Sequence, residues 1–503
     1  MLLFLLVFIP FLGGFLSWQS GYLKTIYPRW IALITMGITL FISLKLWFEY
    51  YYIDNNIHQS SQWNLQFLHS WIPSLGINFH LALDGLSLLF VIFIAFLGFI
   101  AVLCSWKEIK YSPKGFYFNL LCIISGGMGV FLSIDLFLFF CFWELILIPM
   151  YFLIAIWGSK DIIFGKSCVY SANKFFIYAH ASSLLMLLSI IGLALNYYNI
   201  HHTWSFDYNF LLNTSLELNL EWYLMLGFFL SFIVKLPVVP FHTWLLDAHS
   251  HAPTAGSIDL VGLVVKSSSY GLLRFCIPLF PHASVKIIPL VLILGVVNVF
   301  YGALLAFWQK NIKRLLAYSS ISNMGFVLLA IYTGNLLSYQ GAIINMIAYG
   351  LSSSALFILA GQLYERLKTM NIYRMGGLWS KLNWISGSFL FFSMATVGIP
   401  GTGNFIAELM MLLGIFKSFP LISCVLAFSL ILASIYSLNM FHTIFYGKGN
   451  NIFFTNFIYT REIGIILCFV FLVIFIGLYP EIILKISYFS IKNIQNNFSF
   501  FLH

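Results

Sequence analysis

The sequence predicts an all-α membrane protein that crosses the bilayer with about 14 helices. Hydrophobic residues make up 61 % of the 503 residues, whereas charged residues make up only 8 %. Soluble domains carry about 25 % charged residues, so this composition excludes an ordinary soluble fold. The apolar residues also form segments of about 20 residues, which is the length of a helix that spans a bilayer.

The predicted spans follow one another along the chain, with two long external loops at 50–80 and 196–221. In order, the spans cover 1–18, 29–49, 83–104, 116–133, 134–157, 170–195, 222–250, 255–278, 285–307, 315–332, 338–364, 383–414, 420–446 and 462–482. The first is interpreted as a retained helix rather than a signal peptide, because no basic segment precedes it and it lacks a cleavage pattern.

The distribution of basic residues orients these spans. When successive loops are assigned to alternate sides, 17 of the 25 lysines and arginines fall on one side and 6 on the other, with Lys235 and Lys266 inside spans. The richer side is cytoplasmic by the positive-inside rule, so both termini are expected outside. Because the basic residues lie in short loops, the net charge of +9 does not indicate nucleic-acid binding. The seven cysteines form no CxxC pair, so no iron–sulfur or zinc site is predicted.

Two predicted spans are interrupted. Pro237 and Pro240 follow Lys235, and the segment Gly398-Ile-Pro-Gly-Thr-Gly403 precedes Glu408. The interruptions lie five spans apart, and an odd number gives the two units opposite directions in the membrane. Inverted repeats with matching broken helices are typical of transporters, whose ion sites lie near the midplane. The predicted units are 1–115 (N-terminal helices and external loop), 116–278 (first five-helix repeat), 285–446 (second, inverted repeat) and 447–503 (C-terminal helix and tail).

Four ionisable residues stand out inside the predicted spans: Glu144, Lys235, Lys266 and Glu408. Each would cost on the order of 3 kcal/mol at the bilayer centre if it faced lipid. Burial weakens the proton affinity of an amine, whereas a nearby carboxylate strengthens it. A lysine whose carboxylate partner approaches and withdraws can therefore take up and release a proton. The alternative is a static Glu144–Lys235 ion pair that only fixes helix packing.

Other polar residues near the first break allow more than one interpretation. His242, His249 and His251 are expected to be loop or proton-uptake histidines rather than metal ligands, because no cysteine or Glu-x-x-His spacing accompanies them. Asp259 is either a connector to Lys266 or an interfacial residue. Asp84 is expected to cap a helix at the interface.

The segment from Lys235 to Ser257, followed by Leu-Val-Val-Lys266, resembles the antiporter-like, proton-translocating subunits of respiratory complex I (NADH–quinone oxidoreductase), in the subunit M family. The resemblance covers nearly the whole chain. It includes Trp143-Glu144-Leu, Asn311-Ile-Lys-Arg, Gly361-Gln-Leu-Tyr-Glu-Arg and Gly398-Ile-Pro-Gly-Thr-Gly.

The resemblance implies a membrane-arm subunit that pumps protons, driven by redox chemistry elsewhere. It assigns Glu144 as the modulating carboxylate, Lys235 as the lysine of the first broken helix, Lys266 as the central lysine and Glu408 as the terminal acid. It implies no catalytic residue, metal or cofactor on this chain, with NADH, FMN, iron–sulfur clusters and quinone bound by other subunits. The implied partners are the other membrane-arm subunits, especially neighbouring antiporter-like ones, in a bacterial inner membrane.

The chain departs from the family pattern along the central axis. Asn323 and Tyr349 stand where the family usually has histidines, and Leu246 stands where proline is common. Neither an amide nor a phenol titrates near neutral pH, so a relay through Asn323 and Tyr349 is expected to need ordered water. Two other functions are therefore kept open: a subunit of a multisubunit sodium/proton antiporter, and a structural scaffold with a vestigial polar axis.

Overall fold

The helices of the chain follow the predicted order of spans. The computed structural model describes residues 1–54, 63–159, 166–448 and 459–499, and most of them are helical. Unbroken helices long and apolar enough to cross a membrane include α1 (Leu2–Ser20), α2 (Tyr27–Asp54), α3 (Gly85–Glu108), α4 (Pro113–Leu132), α7 (Cys168–His201), α9 (Leu218–Lys235), α14 (Pro281–Phe307), α15 (Ile312–Ile331), α16 (Leu336–Leu367), α19 (Pro420–Phe445) and α20 (Thr460–Leu478). The all-α, polytopic fold class is confirmed.

The remaining spans are interrupted helices. α5 (Leu136–Leu145) and α6 (Leu147–Trp157) meet at a turn, where Pro149 lacks the N–H that the carbonyl of Leu145 would otherwise accept. The stretch 254–279 joins α11 (Thr254–Asp259), α12 (Val265–Gly271) and α13 (Ile277–Leu279) through two π-helical segments, Leu260–Val264 and Leu272–Cys276.

Both predicted breaks are present. Residues 236–242 separate α9 from α10 (Thr243–His251), and residues 398–402 separate α17 (Asn383–Val397) from α18 (Gly403–Ser418). Of the 14 predicted spans, 13 correspond to helical stretches long enough to cross a membrane, and α17 with α18 forms the fourteenth. The division into two repeats stays a prediction, and Lys160 and residues 449–458 lie outside the described residues.

The polar helices lie at the centre. The stretch 254–279, α15 and α16 are buried along nearly their whole lengths, whereas α1, α2 and α19 present much of their surface outward. α15 and α16 pack against each other, and α16 also packs against α11 and α18. This arrangement keeps serine, asparagine and lysine side chains away from lipid, where each would be costly.

The loops that were predicted to be external have more structure than the sequence predicts. In the predicted loop 50–80, of which residues 55–62 lie outside the described residues, β1 (Leu65–Ile72) pairs antiparallel with β2 (Ile77–Leu83). A short helix, α8 (Tyr208–Leu212), lies in the loop 196–221, and the tail forms α21 (Glu481–Ser499). The hairpin joins the membrane domain where the N–H of Ile134 donates to the carbonyl of His80 (3.1 Å).

Two buried arginine–carboxylate pairs connect helices near the membrane edges. Asp84 caps α3 as expected, accepting from the backbone N–H of Ser87 (2.9 Å), and it also binds the guanidinium of Arg274. Arg274 was predicted on the external side but lies buried in the second π segment. At the opposite edge, Arg366 in the last turn of α16 pairs with Glu462 in the first turn of α20 (2.5 Å). Each charge of this second pair complements its own helix dipole.

Candidate functional site

The first break is stabilised by side chains that replace lost backbone hydrogen bonds. The indole Nε1 of Trp244 donates to the carbonyl of Val234 in the last turn of α9 (2.8 Å). The amide of Asn298 in α14 accepts from the N–H of Val239 (3.0 Å) and donates to the carbonyl of Ile321 (2.8 Å). Irregular backbone at membrane depth is tolerated only where protein or water satisfies it, and these two side chains do so here.

Lys235 is the last residue of α9 and is fully buried. Its Nζ lies 3.5 Å from the ring centroid of Trp143 and 3.4 Å from the carbonyl oxygen of the same residue. A cation over an indole face and at a helix C-terminus is partly compensated by the ring quadrupole and the helix dipole. Glu144 still interacts with Lys235 electrostatically, although the two are not in contact.

The carboxylate of Glu144 instead binds α7. Its Oε2 is 2.9 Å from Nδ1 of His180, and its Oε1 accepts from the hydroxyl of Ser183. His180 and Ser183 lie one turn apart on the same helix face, so both reach the carboxylate. The predicted static Glu144–Lys235 contact is therefore not formed in this structure. Sequence reasoning did not identify His180 as the partner of Glu144.

Lys266 lies at the centre of the molecule, on α12 between the two π segments, and is 1 % exposed. Its Nζ lies 3.6 Å from Sδ of Met324 and 5.3 Å from the ring centroid of Tyr349. A thioether is a weak acceptor and an aromatic face is a weak partner for a cation. Neither contact replaces a carboxylate.

The second break places Glu408 against the interrupted backbone. Gly398 adopts φ +84°, and a Cβ at this residue would lie 2.5 Å from Oε2 of Glu408. Glycine is therefore required both by the left-handed conformation and by the space that the carboxylate occupies. The amide of Asn404 donates to the carbonyl of Ala395 at the end of α17 (2.8 Å) and to the hydroxyl of Ser352 (2.9 Å), so an asparagine stabilises this break too.

Between Lys266 and Glu408 the structure places phenol and hydroxyl groups. The hydroxyl of Tyr349 is 3.1 Å from Oγ of Ser319, and its ring faces Lys266. Glu408 interacts electrostatically with Tyr349 and with Tyr436 of α19, which is also buried. Tyr436 escaped sequence analysis because nothing distinguishes it among 27 tyrosines.

The remaining predicted positions are all buried. His242 directly precedes α10, and its ring centroid lies 5.1 Å from that of Tyr301. His249 stacks on Phe357 with ring centroids 4.5 Å apart. The expectation of histidines in a loop was wrong, because His249 lies within α10, as does His251. Within the described ranges, no group of three or more histidine, cysteine or acidic side chains is arranged to hold a metal ion.

Asp259 ends α11 and is 3 % exposed, so its side chain is buried within the chain. Its Oδ2 has no hydrogen-bond partner among the described residues. Other buried polar atoms in the central helices share this condition, among them Oγ of Ser269, Oδ1 of Asn323 and Oγ of Ser354. Unpartnered buried polar atoms of this kind are the usual binding points of internal water.

Beyond the first break, Asp247 of α10 binds two lysines. Its Oδ2 lies 2.9 Å from Nζ of Lys166 and 2.8 Å from Nζ of Lys174. In the sequence analysis, both lysines belong to the basic residues that orient the spans in the membrane, and their pairing with Asp247 is not predicted. Since Asp247 is on the same short helix as His249, this cluster fixes the position of α10.

The fold and the site together define the class: a polytopic helical membrane protein in which buried glutamate and lysine side chains lie between two broken helices. Such an arrangement suits the movement of small cations or protons, because charged groups at this depth are tolerated in protein interiors and hydrated paths.

Comparisons with known proteins identify the family. The sequence model of the NADH:quinone oxidoreductase/Mrp antiporter transmembrane family matches residues 133–435. The chain is 52 % identical to NADH-quinone oxidoreductase subunit M of Escherichia coli over 99 % of this chain and 98 % of that protein. It is 48 % identical to the subunit M of Pseudomonas aeruginosa over 97 % and 96 % of the two chains. Its structure is similar to a chain of respiratory complex I from Thermus thermophilus, with a TM-score of 0.87, 26 % identity and coverage of 99 % and 100 %.

The chain therefore belongs to the NADH:quinone oxidoreductase/Mrp antiporter family, and within it to the subunit M group. The family resemblance identified from the sequence is confirmed.

Proposed function

We propose that this chain is a proton-translocating membrane-arm subunit of an NADH:quinone oxidoreductase. Glu144, Lys235, Lys266 and Glu408 carry protons, driven by redox chemistry in other subunits. The chain itself contributes no redox step, and NADH, FMN, iron–sulfur clusters and quinone are bound by those other subunits. The names of relatives about half identical over nearly their whole length support this assignment.

The observation that supports proton movement most directly is the state of the two buried lysines. In the described part of the chain, neither Lys235 nor Lys266 has a carboxylate within ion-pair distance. A lysine retained only for packing would be expected to hold a counter-ion, because an unpaired buried charge is strongly destabilising. Lysine, unlike arginine, can also lose its proton when buried. The scaffold interpretation therefore explains the site less well.

The onward path is proposed to pass from Lys266 through ordered water to Glu408. Ser319 and Tyr349 supply a hydroxyl pair along this path, and Tyr436 supplies a second phenol within electrostatic range of Glu408. The unpartnered oxygen of Asn323 offers an acceptor for the bridging water. A hydroxyl and water chain can thus replace the histidines usual in the family.

The proposed location is a bacterial inner membrane, with both termini external and the neighbouring antiporter-like subunits as partners. The bias in basic loop residues supports this orientation. A sodium/proton antiporter assembly is the second candidate, since the matching family includes such proteins. Isolation of the chain with NADH- and quinone-reactive subunits would support the first assignment, and isolation without them the second.

The central experiment replaces Lys235 or Glu408 with alanine in the assembled complex and measures proton uptake in proteoliposomes. We expect each variant to assemble and to lose at least about tenfold in pumping rate, since each interrupts a proton-transfer step. Lys485→Ala, an exposed lysine of α21, is the control and should pump at the wild-type rate. Normal pumping by both Lys235→Ala and Glu408→Ala would exclude the relay.

A further inference from the structure

The surroundings of Glu144 include two groups that can carry a positive charge. The carboxylate binds His180 directly, while Lys235 remains within electrostatic range without contacting it. These groups lie on different helices, α7 and α9, and the close contact that the structure shows is the one to His180. The position of Glu144 thus determines how strongly it acts on Lys235.

His180 can change its hold on Glu144. Histidine is the side chain whose ordinary pKa lies closest to neutral pH. A protonated ring makes a charge-assisted hydrogen bond to Glu144, and such bonds are about twice as strong as neutral ones. When the ring gives its proton to water, Glu144 keeps only a neutral hydrogen bond and the hydroxyl of Ser183. The attraction of the Lys235 ammonium then competes more effectively.

The local packing leaves room for this exchange. The His180 side chain is 42 % exposed on the isolated chain and that of Glu144 is 20 % exposed. The ring stacks on Phe176 one turn away, with centroids 5.4 Å apart and an interplanar angle of 13°. Stacking on Phe176 orients the His180 ring. Because His180 and Glu144 are partly exposed, packing within this chain does not hold either side chain in one position.

We propose that His180 is a positioning residue that sets when Glu144 engages Lys235. In the state observed here, His180 and Ser183 hold the carboxylate away from the lysine. Loss of the His180 proton releases Glu144 towards Lys235, where it stabilises the protonated amine. No covalent bond changes in this step. The inference depends on the proposed function, because it concerns how the first lysine is loaded.

The surroundings of His180 identify the groups that could influence its titration. The helices packed against α7 carry the following titratable side chains: Cys141 and Glu144 of α5, Tyr151 of α6, Tyr208 of α8, Glu221, Tyr223 and Lys235 of α9, and Asp247, His249 and His251 of α10. Glu144 is the one in hydrogen-bond contact with the ring among the described residues.

The test measures proton pumping by the assembled complex in proteoliposomes between about pH 5.5 and 8.5, a range that includes the ordinary histidine pKa of about 6.5. In the wild type we expect the rate to fall on the acid side, because a protonated His180 retains Glu144. In His180→Gln, which keeps a neutral hydrogen-bond donor, this acid limb should disappear or move by about one pH unit or more. His201→Gln, at the external end of the same helix, should retain the wild-type profile.

Superimposable profiles for the wild type and His180→Gln would overturn this inference. The proposed function would stand in that case as long as Lys235→Ala still stops pumping, and would itself fail if Lys235→Ala pumps normally. A second measurement is made on the wild type and does not depend on whether a His180 variant folds. In pH-difference infrared spectra of the wild type, the carboxylate band that Glu144→Gln removes should shift together with histidine ring bands. A carboxylate band that does not follow the histidine bands would also overturn the inference.

Discussion

Buried cations occur in two regions of this molecule and differ in kind. Near the ends of the helices, two of them are arginines that contact carboxylates, Arg274 with Asp84 and Arg366 with Glu462. A third, Lys313 at the start of α15, donates to the carbonyl of Ala252 (2.7 Å). Arginine is always charged and presents a fork of donors that matches a carboxylate, so it makes a permanent connection.

In the interior, the buried cations are lysines without a carboxylate in contact, among the described residues. Lys235 lies over an indole ring, and Lys266 lies near a thioether and a phenol ring. A lysine ammonium can lose its proton when buried, so its charge is not permanent. The difference indicates that the edges are built for stability and the interior for changes of charge, and variants in the two regions should therefore behave differently.

The largest effect on stability is expected for Arg274→Met. This change leaves the buried carboxylate of Asp84 without its cation, which costs about 3–5 kcal/mol. It should lower the thermal unfolding midpoint of the isolated complex markedly. Lys45→Met is the control, because the Lys45–Glu49 pair is exposed (3.6 Å) and such pairs contribute at most about 1 kcal/mol. Equal midpoints for the two variants would contradict a structural role of the edge pair.

An intermediate effect is expected for Gly398→Ala. An L residue in the left-handed conformation costs about 1–2 kcal/mol, and the added Cβ would also displace Glu408. Both the thermal midpoint and the pumping rate should fall. Gly387→Ala is the matched control, since nothing lies within 4 Å of a Cβ there and it is within α17; its midpoint should rise slightly. Unchanged pumping in Gly398→Ala would show that the position of Glu408 is not critical.

The smallest effect on stability, combined with a large effect on pumping, is expected for Lys266→Met. Replacing a buried amine without a counter-ion by an apolar side chain of similar length should change the free energy of unfolding by less than about 1 kcal/mol. The thermal unfolding midpoint should therefore change little. Lys266→Arg sharpens the comparison, because it retains a cation that cannot deprotonate. We expect pumping to be lost in both variants. A wild-type pumping rate in Lys266→Arg would show that the charge alone is sufficient.

The spans, both breaks and the family could be predicted because each depends on local sequence. Apolar length marks a span, and proline or glycine beside an ionisable residue marks a break. The β1–β2 hairpin was missed because both strands lie within a stretch that the hydropathy pattern marks only as not spanning the membrane. Arg274 was assigned to the external side because it lies near the end of its span, and its partner Asp84 is 190 residues away.

The contacts within the site were less predictable than the residues. Glu144 and His180 are 36 residues apart, and their contact arises from the packing of α5 against α7. Histidine carries no formal charge in the sequence count, so it did not appear as a buried ion. Asn298 and Asn404, which hydrogen-bond to the backbone at the two breaks, were missed for a similar reason. An asparagine in a span has no distinctive sequence signal until the carbonyl or N–H to which it hydrogen-bonds is known.

The two π-helical segments beside Lys266 have a geometric consequence. Each accommodates one extra residue in its turn, so the direction in which the lysine points depends on two local wide turns as well as on the ends of the helix. If the first segment tightened to a regular turn with the helix start fixed, Lys266 would turn by about 100° around the helix axis, the angle that one residue subtends. The backbone conformation of the two π-helical segments thus determines the direction in which the Lys266 side chain points.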